Sequence, residues 1–126
     1  MTAALRLSIL PGTLAVARLA SHAELPSWVR GAFVTISRTS DELSIVCDEG
    51  SVPEHVQAER GWGAFKLHGP IPFEMVGIAA ALLTPLAEAL IPVFLISTFD
   101  TDYVLVKRER LDEAAAVLRL AGHDVS

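Results

Sequence analysis

Cysteine, positive charge and the spacings that mark a reactive centre are all scarce in this 126-residue chain. The single cysteine, Cys47, lies in the run Leu43-Ser44-Ile45-Val46-Cys47, which reads as a buried strand. It permits no intrachain disulfide, in keeping with a reducing cytoplasm. Ten Lys and Arg stand against 15 Asp and Glu, a net charge of −5. A phosphate-binding surface needs a basic footprint, so no nucleic-acid partner is expected. Lys107, Arg108 and Arg110 are interrupted by Glu109 and read as a solvated helix start.

Patterns for chemistry are missing as well. His22, His55, His68 and His123 have no metal-ligand spacing. Asp100 and Asp102 alone lack the dense ligand run of a calcium loop. There is no Gly-x-Ser-x-Gly elbow and no phosphate-loop glycine spacing, and Cys47 sits within a strand rather than at an activating helix terminus. The N-terminus has Arg6 among short apolar groups and lacks the sustained apolar core of a signal peptide. The run from Met75 to Ile96 is long enough to span a bilayer and carries one charge, Glu88. That carboxylate would cost about 2.5–3.5 kcal/mol near the bilayer centre. Pro85 and Pro92 would also break the backbone ladder, and the period changes from helix-like to strand-like at Pro92. The chain is therefore expected to have no membrane span, metal, cofactor or catalytic activity.

What is present suits a folded domain. The 52% apolar content supplies a core, and 20% charged residues argues against disorder. The length fits one compact unit or two intimately packed small ones.

The first half is strand-rich. Leu5 to Leu10 and Thr13 to Leu19 flank Pro11-Gly12, which suggests a hairpin. Ser21 to Gly31 is a connector with one helical turn around 24–29. Phe33 to Ser37 and Leu43 to Cys47 flank Arg38-Thr39-Ser40-Asp41-Glu42, whose turn chemistry predicts a second hairpin. Thr39 and Glu42 have capping-box spacing, but a strand follows, so a solvated turn is expected there. Val52 to Arg60 reads as a polar stretch. Trp28 and Trp62 are expected as packing anchors.

The second half spells βαββαβ. Trp62 to Leu67 reads as a strand ended by Gly69-Pro70. Met75, Ile78, Ala79, Leu82, Leu86 and Leu90 recur at three- and four-residue steps, predicting a helix over 73–90 with these on its buried stripe. Pro85 should kink it. Val93 to Ser97 and Tyr103 to Val106 are strands around the polar knot Ser97 to Asp102. Leu111, Ala114, Ala115, Leu118 and Ala121 mark a second helix, stopped by Gly122. A last short strand can follow over 123–125. A unit of about 66 residues buries little surface alone and should lean on other strands or a second copy.

That element order resembles the ACT domain, as do Val76-Gly77-Ile78 and the phrase from Pro85 to Val93. Arg38 to Cys47 and Ile96 to Val106 resemble small bacterial proteins in which an ACT domain follows an ACT-like half. The ACT modules of cytosolic arginine sensors are related. The resemblance implies an α+β fold, with an ACT-like N-terminal domain over 1–60 packed with a ferredoxin-like ACT domain over 61–126. Leu90 occupies the turn where many ACT domains carry glycine, so a tighter helix exit is expected.

The resemblance also implies a cytoplasmic regulatory protein that binds an amino acid or related metabolite, forms a homodimer or higher oligomer, and acts on a partner protein. The alternative is an interaction module that binds no ligand. The implied ligand-binding residues are Val76, Gly77, Ile78, Thr98, Phe99, Asp100 and Asp102. Thr98 and the two aspartates could take an ammonium or guanidinium group, or merely cap turns of a hairpin loop. Gly77 could admit a ligand carboxylate to the helix start, or allow close helix–sheet packing. Phe99 could wall a ligand stem, though a core role is the preferred reading.

Overall fold

The computed structural model describes residues 4–126. In chain order its elements are β1 (Arg6–Ile9), β2 (Leu14–Leu19), β3 (Thr35–Arg38), β4 (Leu43–Asp48), β5 (Ala58–Leu67), α1 (Ile78–Glu88), β6 (Phe94–Ser97), β7 (Asp102–Lys107), α2 (Leu111–Leu120) and β8 (Asp124–Val125). They group into two units, Gly12–Trp62 and residues 4–11 with Gly63–Ser126, so β5 is divided between them at Trp62 and Gly63. β1 pairs with β5 and β8, while β2 pairs with β4 and β5. The hairpin expected across Pro11-Gly12 is therefore not formed.

In the unit Gly12–Trp62 the strand order is β3-β4-β2-β5, antiparallel throughout. Alternation along β4 turns Leu43, Ile45 and Cys47 to one face, where they bury with Ala15, Ala17 and Val52, and Trp28 packs against them. The second expected hairpin is present, pairing Arg38 with Leu43. The Thr39 hydroxyl accepts the N–H groups of Asp41 and Glu42 at 3.1 and 3.2 Å, so this knot is an exposed side-chain-capped turn. Over 24–29 there is no helix, only a turn at Ser27 and Trp28. Instead Arg38 donates to the carbonyls of Ser21 and Ala23.

In the other unit the order is β6-β7-β5-β1-β8. β1 runs antiparallel to β5, with Leu7 opposite Leu67, and parallel to β8, with Leu7 opposite Val125. Leu7, Phe65, Leu67, Val104 and Val106 on one sheet face bury against Leu82 and Leu86 of α1 and Leu111, Ala114, Ala115 and Leu118 of α2. From β5 onward the order is βαββαβ, an α+β ferredoxin-like arrangement with both helices on one face.

α1 is shorter than the apolar periodicity suggests. Gly77, at φ +81°, is its N-cap, and the residues before it form a turn in which the Met75 N–H reaches the Pro72 carbonyl. Met75 and Leu90 lie outside the helix, and only Leu82 and Leu86 of the stripe are fully buried. α2 follows expectation and ends at Gly122, φ +99°.

Pro85 lies inside α1 and has no N–H for the Ala81 carbonyl four residues back. His123 meets that carbonyl. The buried imidazole accepts the Leu5 N–H on Nδ1 at 3.1 Å, so its proton sits on Nε2, 3.0 Å from the Ala81 oxygen. One side chain thereby satisfies a carbonyl freed by a proline and an N–H just ahead of β1.

Candidate functional site

The hairpin loop between β6 and β7 is built by its own polar side chains. Ser97 and Asp102 are cross-strand partners, and the Ser97 hydroxyl donates to Asp102 Oδ1 at 2.7 Å. The Thr98 N–H donates to the Thr101 carbonyl at 2.8 Å, and the Thr98 hydroxyl reaches the same carbonyl at 3.1 Å. Thr101 is buried and donates its hydroxyl to the Leu67 carbonyl of β5 at 2.8 Å. The turn-capping role considered for this knot therefore describes Thr98, and one oxygen of Asp102 is taken by Ser97 within the loop. This leaves the second oxygen of Asp102 for another donor, since a carboxylate accepts several hydrogen bonds.

Against this loop runs the segment that leaves β5. The Ile71 N–H donates to the Asp100 carbonyl at 2.7 Å. A Cβ on Gly69 would come within 2.9 Å of that same oxygen and 3.1 Å of Thr101 Cβ, so only glycine passes here without displacing backbone. From Ile71 the chain turns through Phe73 and Met75 to Gly77 and enters α1.

Loop, segment and helix start enclose a cleft of about 300 Å³. One wall is Ser97 to Asp102; the other is Ile71, Pro72, Phe73 and Met75, closed by Gly77, Ile78 and Ala79. Of the residues expected from sequence, Gly77, Ile78, Thr98, Phe99, Asp100 and Asp102 line this cleft together. Val76 is not in the lining and is 90% exposed. Phe99 is no core residue: it is 79% exposed, with its ring edge-to-face with Phe73, centroids 4.9 Å apart.

Gly77 does not serve close packing, because a Cβ there would meet nothing within 4 Å. Its left-handed φ is the constraint. Among the described residues no side chain caps α1. The Ala81 N–H closes the first turn onto the Gly77 carbonyl, which leaves the N–H groups of Ile78, Ala79 and Ala80 without intrahelical partners. Such a helix start attracts an anion. Among the described residues the only charged side chains in the lining, Asp100 and Asp102, are acidic. One cleft thus carries backbone donors for an anion and carboxylates for a cation.

The sequence pattern did not mark Ile71, Pro72, Phe73 and Met75 as parts of the cleft. Gly69-Pro70-Ile71-Pro72 was the available signal, since two prolines so close keep the chain out of a helix and hold it extended.

A second cleft, of about 370 Å³, lies beside Ala80, Thr84, Pro85 and His123, but its imidazole is already committed to Leu5 and Ala81. Ser8 and His68 are hydrogen-bonded to each other outside both clefts. Among the described residues no three His, Cys, Asp or Glu side chains are grouped to hold a metal ion, and no helix is long and apolar enough to cross a membrane.

A family model for the ACT domain matches residues 57–119, and a model for an N-terminal domain matches 12–55. The crystal structure of protein Atu0741 from Agobacterium tumefaciens is similar over 99% of this chain and 94% of its own, at 40% identity and a TM-score of 0.93. The human protein CASTOR3P is 31% identical over 100 residues, covering 68% of this chain; the chain spans 60% of that relative's length. The regulatory subunit of aspartate kinase from Thermus flavus shares the fold at 9% identity, with a TM-score of 0.62 over 92% of this chain and 96% of its own. The ACT model covers half of the chain, from β5 into α2, and these elements carry the cleft: this chain belongs to the ACT-domain family.

Proposed function

We propose that this protein is a cytoplasmic regulatory module, without catalysis of its own, that binds a free amino acid in the cleft between the β6–β7 loop and α1. The observation that carries the reading is the pairing of Asp102 with the uncapped start of α1 around one cleft. A free amino acid holds an ammonium and a carboxylate on one carbon, and this cleft offers a partner for each. The carboxylate takes the N–H groups of Ile78 and Ala79, approached over the bare Cα of Gly77. The ammonium takes Asp102, with Asp100 adding a weaker, exposed charge. Thr98 acts through the loop, Ile78 and Phe99 pack on the ligand, and Val76 contributes no more than its place beside Gly77. That the fold recurs in regulatory subunits of aspartate kinase supports a regulatory role.

A thermal-shift screen against the proteinogenic amino acids tests this. A ligand at a hundredfold excess over Kd stabilises by about 2.7 kcal/mol, a shift of several degrees. No shift with any of them at millimolar concentration would remove the reading.

Phe73, Met75, Val76 and Phe99 are all exposed, which favours a second reading, an interaction module that binds no ligand. A homodimer is part of either reading, and it requires a contact of at least about 1,000 Å². Sedimentation as a pure monomer at high micromolar concentration would exclude it.

A further inference from the structure

Building on the amino-acid reading of the cleft, we infer that it selects a neutral amino acid with a large apolar side chain, and that Phe73 and Phe99 are the residues that make the selection. The two rings are 72% and 79% exposed, although they are the largest apolar groups near the cleft. Exposure on that scale returns little to the fold, and a clustered apolar pair at a cleft mouth marks a surface meant to be covered. They come from separate segments, the turn before α1 and the tip of the β6–β7 loop, and meet edge-to-face at 4.9 Å. Met75, half exposed, extends the same wall with a side chain that adapts to the shape laid against it.

The polar groups divide differently. Ser97 already occupies one oxygen of Asp102, and the other suffices for one ammonium. Asp100 stands at the exposed loop tip, where a charge pair is screened and weak. A second cation on the ligand would therefore gain little while lying among apolar rings. An anionic side chain would meet two carboxylates and, among the described residues, no basic group in the lining. An apolar side chain loses nothing of this kind and removes ring surface from water. A cleft of about 300 Å³, mostly apolar with a few convergent polar groups, has the size and character of a small-molecule site.

Calorimetry of the full chain with phenylalanine, leucine, methionine, arginine, lysine and glutamate decides the matter, repeated with Phe73→Ala and Phe99→Ala. The three apolar amino acids should bind at least tenfold more tightly than the three charged ones. Each variant should lose about tenfold for phenylalanine and keep its melting temperature, because both rings are exposed. Arginine or lysine binding as tightly as phenylalanine would overturn the side-chain class while leaving the amino-acid site in place. Absence of binding by every amino acid would remove both. Unchanged phenylalanine affinity in the variants, with an altered sedimentation coefficient, would assign the rings to a protein contact and overturn the inference too.

Discussion

Leu90 ends α1 in the same left-handed conformation that Gly122 supplies at the end of α2. In each case the left-handed residue donates to the carbonyl three back and its successor to the carbonyl five back: Leu90 to Ala87 and Ile91 to Leu86, Gly122 to Arg119 and His123 to Leu118. Both ends are Schellman motifs, one closed by the residue suited to it and one by a leucine.

Leu90 carries its Cβ at φ +60°, which costs about 1–2 kcal/mol, and its side chain is 82% exposed. Leu90→Gly should therefore stabilise the protein by about 0.5–1 kcal/mol after the larger chain entropy of glycine is set against the relief. Gly122→Ala should destabilise it by about 1–2 kcal/mol through conformation alone, since a Cβ there would meet no neighbour within 4 Å. Urea denaturation of both variants reads the two signs.

His123→Ala strips the partners from the Leu5 N–H and the Ala81 carbonyl, at a cost of about 2 kcal/mol or more. In a Pro85→Ala background residue 85 regains an N–H for the Ala81 carbonyl, so the same substitution should cost about 1 kcal/mol less. Pro85→Ala alone should be neutral or stabilising. A double-mutant cycle with zero coupling would show that proline and histidine do not share that carbonyl.

Asp102→Ala should abolish amino-acid binding while costing under about 1 kcal/mol of stability, because its bond to Ser97 is exposed. Asp100→Ala should weaken binding less. Isothermal calorimetry that finds Asp102→Ala equal to the parent protein retires this carboxylate as the ammonium partner.

Gly69→Ala should push the β6–β7 loop from its place, since the clash is with the Asp100 carbonyl rather than a flexible side chain. Its expected cost is about 1–3 kcal/mol, accompanied by weaker ligand binding. Native-state hydrogen exchange at the Ile71 amide, which donates to that carbonyl, should quicken.

Arg110 grips Glu113 through two parallel bonds of 3.0 Å and donates to the Leu90 carbonyl at 2.8 Å. Its hydrogen bonds hold the Glu113 carboxyl below the ordinary glutamate value. A lowered folded-state value adds stability above the unfolded-state pKa, and that stability is lost as pH falls through the folded one. NMR titration of Arg110→Ala should return Glu113 toward the ordinary value. Acid unfolding of that variant should have a shallower Glu113-dependent limb.

Much of the βαββαβ unit could be read from local pattern. The four- and three-residue spacings of Leu82, Leu86, Leu111, Ala114, Ala115 and Leu118 sit on helix faces that are buried, and Gly122 stops α2 where a left-handed residue is needed. The polar knot between two apolar runs became a hairpin loop because Thr98 and Thr101 can bond within it. The pairing of β1 could not be read that way, since Leu7 meets Leu67 and Val125, far away in sequence. Nor could the start of α1: apolar residues continue upstream of Gly77, and periodicity does not distinguish a helix face from a wall exposed at a cleft. Phe73 and Met75 fell on the wrong side of that line.

The double pairing of β1 also sets an order of assembly. Leu7 can find Leu67 once β5 has left the ribosome, but the other edge of β1 stays bare until Asp124 and Val125 arrive. Closing contacts so distant in sequence is slow, and an open strand edge can recruit other chains meanwhile. Arg6, exposed on that strand and 3.9 Å from Asp124 in the finished sheet, stands on the waiting edge as a charge that discourages a stranger and later greets the proper neighbour.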